Sequence, residues 1–227
     1  GLTAENVCEA GYGFFPATSI GDDIRIGNEI IPTLRQQTPN DKGACLSLAD
    51  YVMPESEGCA DYAGVFAVTA GNCMESLRMQ YEKENDSYGL MLIQTLSDRL
   101  AEAATEYLHE KVRKEYWGYA AAENLTVDDL FKDKYQGIRP AVGYPSLPDQ
   151  ELIFKINDLL QLDRIGINIT ENGAMYPTAS VAGLYFSHPE SSYFMIGRIS
   201  EEQLLDYAVR RGKQADELRK FLIKNLR

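Results

Sequence analysis

The segment with the clearest chemical potential is a short loop that begins at Arg139 and ends at Pro145. Its two prolines remove backbone donors and fix the chain direction, while Gly143 allows a close approach or a positive φ. The guanidinium of Arg139 is a planar fork that suits a carboxylate, and Tyr144 offers an aromatic face with a hydroxyl group. These residues predict a loop that presents rigid backbone groups and one cation to a ligand. The same composition fits a purely structural turn equally well.

A second loop with similar turn chemistry covers residues 171–177 and leads into the apolar segment 180–189. The two histidines of the chain are too few for a histidine-rich metal site. His109 stands alone in a helical pattern and is interpreted as a surface or packed residue. His188 precedes Pro189 after a strand pattern and is interpreted as a turn residue.

Several familiar catalytic and metal-binding motifs are absent from the sequence. It contains no G-x-G-x-x-G after a strand, no P-loop, no H-E-x-x-H and no G-x-S-x-G. The widely spaced cysteines form no C-x-x-C pair, which excludes a zinc ribbon and a thioredoxin-like motif. Without a secretory segment, reduced thiols in a cytoplasmic setting are expected. The four cysteines are Cys8, Cys45, Cys59 and Cys73.

The overall composition is that of a globular protein with an acidic surface. The chain has 227 residues, of which 44% are hydrophobic and 25% charged, enough for one large domain with a sizeable core. Its net charge of −12 leaves no broad basic footprint for nucleic acid or anionic lipid. No stretch approaches the roughly 18 apolar residues that a membrane helix needs. We therefore expect neither nucleic acid nor membrane as a partner.

The first half of the chain predicts strands followed by one long helix. Short apolar runs between turn residues predict strands at 11–17, 23–26, 47–53 and 61–70. A helical spacing of apolar residues then predicts an amphipathic helix from Asp86 to about Tyr116. The residues of that apolar stripe are Leu92, Leu96, Leu100, Ala103, Tyr107 and Val112.

The second half mixes short helices with strands. Capping-box patterns begin helices at Thr126 and at Ser200, and the second of these helices ends near Gly212. Further helices are predicted at 149–160 and 216–225, and strands at 165–169, 180–187 and 193–198. Short turns between the late strands favour antiparallel pairing, and no linker divides the chain. The sequence thus predicts one α+β domain over residues 1–227, and its start at Gly1 suggests a piece of a longer chain.

A collinear series of motifs extends from residue 13 to residue 189. The motifs are GFFPA at 13–17, GDDI at 21–24, LRQQT at 34–38, DRLAEA at 98–103, YLHE at 107–110, YWGY at 116–119, YQGIRPA at 135–141, GYP at 143–145 and YFSHP at 185–189. This series resembles the C-terminal activation domain of cobalamin-dependent methionine synthase. The resemblance implies a single C-shaped α+β domain with a central twisted antiparallel sheet, and S-adenosylmethionine held on its inner surface.

The resemblance also implies a role within a larger methyltransferase. The full enzyme moves a methyl group from methyltetrahydrofolate to homocysteine through cobalamin, which another module of the same polypeptide holds. Occasional oxidation inactivates the cobalamin, and this domain presents S-adenosylmethionine for remethylation after a one-electron reduction by flavodoxin or a related flavoprotein. The fragment alone is not expected to turn over. The alternative is a free-standing binding protein of the same fold that handles S-adenosylmethionine or cobalamin.

Family positions suggest which residues contact S-adenosylmethionine. The Arg139 guanidinium would bind the ligand carboxylate, and carboxylates at Glu102 and at either Asp22 or Asp23 would meet its positive groups. Ala141, through its backbone, and Tyr185 match positions near the ligand. Each acid has a structural alternative, since Glu102 fits a solvated helix face and the two aspartates could simply close a turn.

Two further residues match the cobalamin-facing side of the family domain. Tyr144 matches a residue that contacts cobalamin, and Gln150 stands where better-known members have a histidine, so this position cannot titrate.

The acidic electron donor of the family would need a basic docking surface on this acidic chain. One candidate group, at the end of the long helix, is Lys111, Arg113 and Lys114. The favoured group, near the C-terminus, is Arg210, Arg211, Lys213, Arg219 and Lys220. The alternative for both groups is placement at helix C-termini.

Overall fold

The computed structural model describes residues 8–226, except for the side chains of Asn72 and Cys73, so the expectation for the Cys73 thiol lies outside the described residues. Seven strands follow one another along the chain: β1 (Glu9–Ile20), β2 (Asp23–Ile26), β3 (Glu29–Pro32), β4 (Asp61–Thr69), β5 (Asn168–Ile169), β6 (Met175–Tyr176) and β7 (Ser180–Tyr185). Five of them form an antiparallel sheet in the order β3-β2-β1-β4-β7, and β5 pairs with β6 in a separate hairpin. The predicted α+β class with a central antiparallel sheet is confirmed.

Six α-helices complete the fold: α1 (Gly71–Lys83), α2 (Ser87–Lys111), α3 (Val127–Leu130), α4 (Ile153–Leu160), α5 (Glu201–Arg211) and α6 (Ala215–Phe221). A π-helical turn, Val112–Tyr116, continues α2. Short 3-10 helices lie at Leu48–Tyr51, Glu55–Glu57, Gln150–Leu152, Leu162–Ile165 and Ile223–Asn225. No helix within residues 8–226 is long and apolar enough to cross a membrane.

Hydrophobic side chains pack on both faces of the sheet, because successive side chains of a strand point to opposite faces. On β4, Val65 packs in the cluster that includes α4, whereas its neighbour Phe66 packs in the cluster that includes α2. A third cluster joins α5 and α6 to Leu34 and Ile199. The sheet therefore lies between α2 and α4, and the C-terminal helices form a separate flank.

The predicted long helix is confirmed in extent, but it buries a different face from the one expected. The Asp86 side chain caps its start by accepting from the backbone N–H of Gly89 at 2.9 Å. Leu92 and Leu96 are 53% and 43% exposed, although both belong to the predicted apolar stripe. The buried face comprises Gly89, Ile93, Ser97, Ala101, Thr105, Leu108 and His109. Small residues on this face let the helix lie close to the sheet.

Other predictions need correction. The strand expected at 47–53 is a 3-10 helix, because Ser47 and Asp50 form a capping box there. The strand expected at 193–198 is irregular, the one at 165–169 shrinks to β5, and α1 has no counterpart among the predictions. The helix cap at Thr126 is confirmed, and so is the helix after Ser200, which ends at Gly212.

The arginine loop, residues 139–145, is held together with Ile138 against the free edge of β7. Ile138 and Phe186 exchange two backbone hydrogen bonds of 3.0 Å, and the N–H of Val142 donates to Ala182 at 2.9 Å. Gly183 permits this approach, since a Cβ there would stand 2.2 Å from the carbonyl oxygen of Pro140. Residues 138–142 thus extend the sheet and present the backbone rigidly, as the composition of the loop predicts.

Candidate functional site

A cleft of about 330 Å³ opens between α2, the arginine loop and the segment 193–195. Its charged lining residues are three acids and one base: Glu102, Glu106, Asp133 and Arg139. Apart from Ser146, the remaining lining residues are aromatic or apolar, and they include Tyr135, Tyr193, Pro140 and Ala141. Such a cleft suits a ligand that carries both a cation and a carboxylate.

Arg139 is the buried cation of this cleft. Its side chain is 13% exposed, and Nη2 donates to the carboxylate of Glu106. Burial by itself lowers the pKa of Arg139, but the Glu106 carboxylate outweighs burial and holds that pKa above its usual value. The backbone N–H of Arg139 donates to the Tyr193 hydroxyl at 3.0 Å. Nε is buried and has no acceptor within the described part of the chain, so it can serve a ligand.

The helix α2 places two carboxylates at the cleft, because Glu102 and Glu106 are one turn apart on the same face. The Tyr144 hydroxyl donates to Glu102. Burial, together with this hydrogen bond, raises the pKa of Tyr144 to about 12, so the phenol stays protonated at neutral pH. A hydrogen bond therefore links Glu102, the acid expected to meet S-adenosylmethionine, to Tyr144, the residue expected to meet cobalamin.

Tyr185 lies one layer behind the cleft rather than in its lining. The ring is fully buried between Phe66, at a centroid distance of 4.6 Å, and His109, at 5.3 Å. Burial raises the pKa of its hydroxyl, which has no hydrogen-bond partner among residues 8–226. Ala141, by contrast, lines the cleft and bridges to Gly183 of β7.

The structure does not bring Asp22 or Asp23 to this cleft. Asp22 accepts from Nε of Arg35 at 2.8 Å, and Asp23 pairs with Arg210 of α5. Both lie where the β1–β2 hairpin turns after Gly21, and neither lines the cleft. This placement supports the alternative stated for the two aspartates, in which they close a turn and fasten neighbouring elements to it.

A second groove, of about 660 Å³, adjoins the cleft and shares Tyr144, Pro145 and Met195 with it. Gln150 lines this groove and donates from Nε2 to the carbonyl of Gly173 at 2.9 Å. The two residues assigned to the cobalamin side, Tyr144 and Gln150, therefore meet in one groove. Its charged lining residues are all cations: Arg198, Lys220 and Lys224.

Most of the basic residues considered for docking are engaged within the chain. At the end of α2, Arg113 is fully buried against Glu123, while Lys111 and Lys114 pair with Glu115 and Glu110. Near the C-terminus, Arg210 pairs with Asp23, Arg211 with Asp149, Lys213 with Glu151, and Arg219 with Glu201. Of these candidates, Lys220 has no ion pair with any residue between 8 and 226. Lys220 also lines the second groove, together with Arg198 and Lys224, and the docking surface stays a prediction.

Sequence reasoning missed several residues of the cleft, namely Glu106, Asp133, Tyr135, Tyr193 and Met195. A signal existed for Glu106, which follows Glu102 by one helical turn. The others come from separate segments with no local pattern in common. Within residues 8–226, no group of three or more His, Cys, Asp or Glu side chains is placed to hold a metal ion.

Comparisons with known proteins place the chain in one family. A family model described as "Vitamin B12 dependent methionine synthase, activation domain" matches residues 2–212. A solved structure, described as a crystal structure of the MetH reactivation domain bound to AdoHcy, is 44% identical in sequence and superposes with a TM-score of 0.90. The match covers 98% of this chain and 72% of that chain.

Proposed function

The chain belongs to the activation-domain family of vitamin B12-dependent methionine synthase, and on that premise we propose that it binds S-adenosylmethionine and presents the methyl group for reactivation of the cobalamin. The observation that carries the proposal is the cleft in which Arg139, Glu102 and Ala141 meet. A relative of the same fold is bound to S-adenosylhomocysteine, the demethylated form of this ligand.

The cleft residues suit the ligand group by group. Arg139 binds the carboxylate, since a guanidinium forms charge-assisted hydrogen bonds to such a group. Glu102 attracts the ammonium or the sulfonium, and Ala141 offers backbone groups. Tyr185 lies behind the cleft lining, stacked on Phe66 and His109, and its contact with the ligand stays a prediction. Asp22 and Asp23 do not line this cleft and are paired with Arg35 and Arg210, so a contact of either with the ligand stays a prediction.

The second groove is proposed as the side that faces cobalamin. Cobalamin would be held mainly by another module of the same polypeptide, and it supplies the cobalt that receives the methyl group. Tyr144 lines both the cleft and the groove, so it would contact the ligand on one side and a cobalamin facing the groove on the other. Gln150 offers an amide that hydrogen-bonds at any pH, because an amide does not titrate.

The whole enzyme would then be a cytoplasmic methyltransferase that makes methionine from homocysteine and methyltetrahydrofolate. Its one-electron reductant would be flavodoxin or a related flavoprotein, which is acidic in this family. Such a partner fits the exposed cations Arg198, Lys220 and Lys224 by charge complementarity.

Isothermal titration of the chain with S-adenosylmethionine and S-adenosylhomocysteine tests the proposal. We expect Arg139→Ala to weaken binding of both ligands by about 10- to 150-fold, because a hydrogen bond to a charged group contributes about 1.5–3 kcal/mol. The control is Arg78→Ala, which removes an arginine that pairs with Glu75 on α1. Wild-type affinity in a folded Arg139→Ala variant would show that the cleft is not the ligand site.

A further inference from the structure

The arginine assigned to the ligand carboxylate is already paired with a carboxylate of the chain. Glu106 of α2 accepts from Nη2 of Arg139, and this is its only side-chain hydrogen bond within residues 8–226. The Glu106 side chain is 45% exposed at the mouth of the cleft. The Glu106 carboxylate thus occupies the place on Arg139 that the ligand carboxylate would take.

The pair differs from the structural ion pairs of this molecule. Arg113 and Glu123 share three hydrogen bonds, and their side chains are 0% and 9% exposed. The Glu106–Arg139 pair has a single hydrogen bond, and its acidic partner faces solvent. Release of Glu106 into water therefore costs less than release of Glu123 would, because Glu106 is already half exposed and makes one hydrogen bond.

The backbone of Arg139 does not depend on Glu106 for its position. Its N–H is held by the Tyr193 hydroxyl, and Ile138 and Val142 of the same segment are hydrogen-bonded to β7. The Arg139 side chain is only 13% exposed, so the surrounding cleft walls limit where the guanidinium can move if Glu106 turns away. The buried Nε, which has no acceptor in the described chain, would remain available as well.

From these contacts we infer that Glu106 is an affinity-setting residue, a stand-in for the ligand carboxylate that the ligand must displace from Arg139. The inference rests on the proposed function, since it concerns the same cleft. While Glu106 is bound, the only arginine of the cleft lining is neutralised. Ligands that bring a carboxylate compete with Glu106, and ligands without one do not. The residue thereby makes affinity depend on the amino-acid end of the ligand.

The test compares two probes by calorimetry. S-adenosylhomocysteine has a carboxylate, and 5′-methylthioadenosine shares the nucleoside and thioether but has none. We expect Glu106→Gln to raise the affinity for S-adenosylhomocysteine about two- to fivefold, which corresponds to the contribution of a partly exposed ion pair. The affinity for 5′-methylthioadenosine should not change.

Two further variants separate contact from charge. Glu106→Asp keeps the charge but shortens the side chain by one methylene, so it should also tighten S-adenosylhomocysteine. Glu110→Gln removes a charge one turn further along α2, where Glu110 pairs with Lys114, and should change neither affinity.

The outcomes distinguish this inference from the proposed function. The displacement role is wrong, and the site stands, if Arg139→Ala loses affinity for S-adenosylhomocysteine while Glu106→Gln does not gain any. The same holds if Glu106→Gln gains equal affinity for both probes. If the wild-type chain does not bind S-adenosylhomocysteine, or Arg139→Ala binds it normally, both are overturned.

Discussion

Behind the cleft, individual polar side chains are buried without hydrogen-bond partners among residues 8–226. Both ring nitrogens of His109 are in this state, as are the hydroxyls of Tyr119 and Tyr185. The His109 ring stacks on Tyr185 and meets Tyr135 edge-on at 5.0 Å. Burial, and then the charges of Arg113 and Arg139, hold the pKa of His109 well below its usual value. The imidazole is therefore neutral in the folded protein.

A neutral buried His109 should make stability depend on pH in a defined window. Above about pH 6.5 neither state binds a proton there, whereas below it the unfolded chain takes up a proton that the folded chain refuses. This site should therefore lower the free energy of unfolding by about 1.4 kcal/mol per pH unit as the pH falls from 6.5 towards the depressed pKa. Urea unfolding at pH 7.5, 6.5 and 5.5 measures the slope.

Two variants assign that slope to one histidine. His109→Phe and His109→Gln should each reduce the slope of the unfolding free energy against pH by about 1.4 kcal/mol per pH unit, the contribution of one proton. His188→Gln should keep the slope of the wild-type chain. His188 is a suitable control because its Nδ1 accepts from the backbone N–H of Glu190 in a surface turn. An unchanged slope in both His109 variants would mean that this residue is already protonated, or titrates normally, in the fold.

The hydroxyl of Tyr144 also has a measurable role. The family resemblance assigns Tyr144 to cobalamin, but its hydroxyl donates to Glu102 in the cleft. We therefore expect Tyr144→Phe to weaken S-adenosylmethionine about two- to tenfold, the worth of one ordinary hydrogen bond, and to slow reactivation in the full enzyme.

The matched control for Tyr144→Phe is Tyr107→Phe, since Tyr107 is 62% exposed on α2 and does not line the cleft. Calorimetry on the chain and reactivation by the full enzyme give the two readouts. A loss of affinity as large as that of Arg139→Ala would place Tyr144 directly on the ligand.

Among the elements, β7 has the largest influence on the site, because it holds the arginine loop in register. An added Cβ at Gly183 would stand 2.2 Å from the Pro140 carbonyl oxygen and 2.8 Å from Cα of Ala141. Gly183→Ala should therefore push the loop off β7, lower the free energy of unfolding by about 1–3 kcal/mol and weaken ligand binding. Thermal unfolding and calorimetry measure the two effects.

Gly11 in β1 is the matched control, since a Cβ there would lie 3.7 Å from Ile165, an ordinary contact. Gly11→Ala should be neutral or slightly stabilising, because alanine loses less backbone entropy than glycine on folding. Equal stability of the Gly183→Ala and wild-type chains would show that the close packing on β7 is not required.

At the scale of the whole molecule, a net charge of −12 leaves the basic groove as an exception on an acidic surface. Lys220 and Lys224 are exposed in that groove. If the groove receives the acidic electron donor, Lys220→Glu with Lys224→Glu should slow reactivation at low salt and weaken its salt dependence. The affinity for S-adenosylmethionine should stay unchanged.

The double variant Lys42→Glu with Lys83→Glu changes the net charge equally at exposed positions outside the groove. It should slow reactivation less. Equal rates in the two double variants would assign the effect to overall charge and remove the groove as a docking surface. Charge reversal at Arg210 and Arg211 would not be a clean test, because breaking the partly buried Arg210–Asp23 pair and the buried Arg211–Asp149 pair would destabilise the fold.

The sequence alone determined the features that depend on near neighbours. The extent of α2, the cap at Thr126, and the strands β2 and β4 all follow from periodicity and turn residues a few positions apart. The motif series also identified the family, because many short matches in one order rarely occur by chance. The rigid loop at Arg139 followed from its prolines.

Only the tertiary structure decided which face of α2 is buried and which charges meet. Leu92 and Ile93 fit a helical stripe equally well, and contact with β4 and β7 selects the face that carries Ile93. Arg139 meets Glu106 across 33 positions, and Asp23 meets Arg210 across 187. No local pattern encodes such pairs, because they depend on how separate elements pack. For the same reason Asp23, at the β1–β2 hairpin, pairs with Arg210 of α5. Likewise Glu106, which the sequence-based assignment did not include, pairs with Arg139.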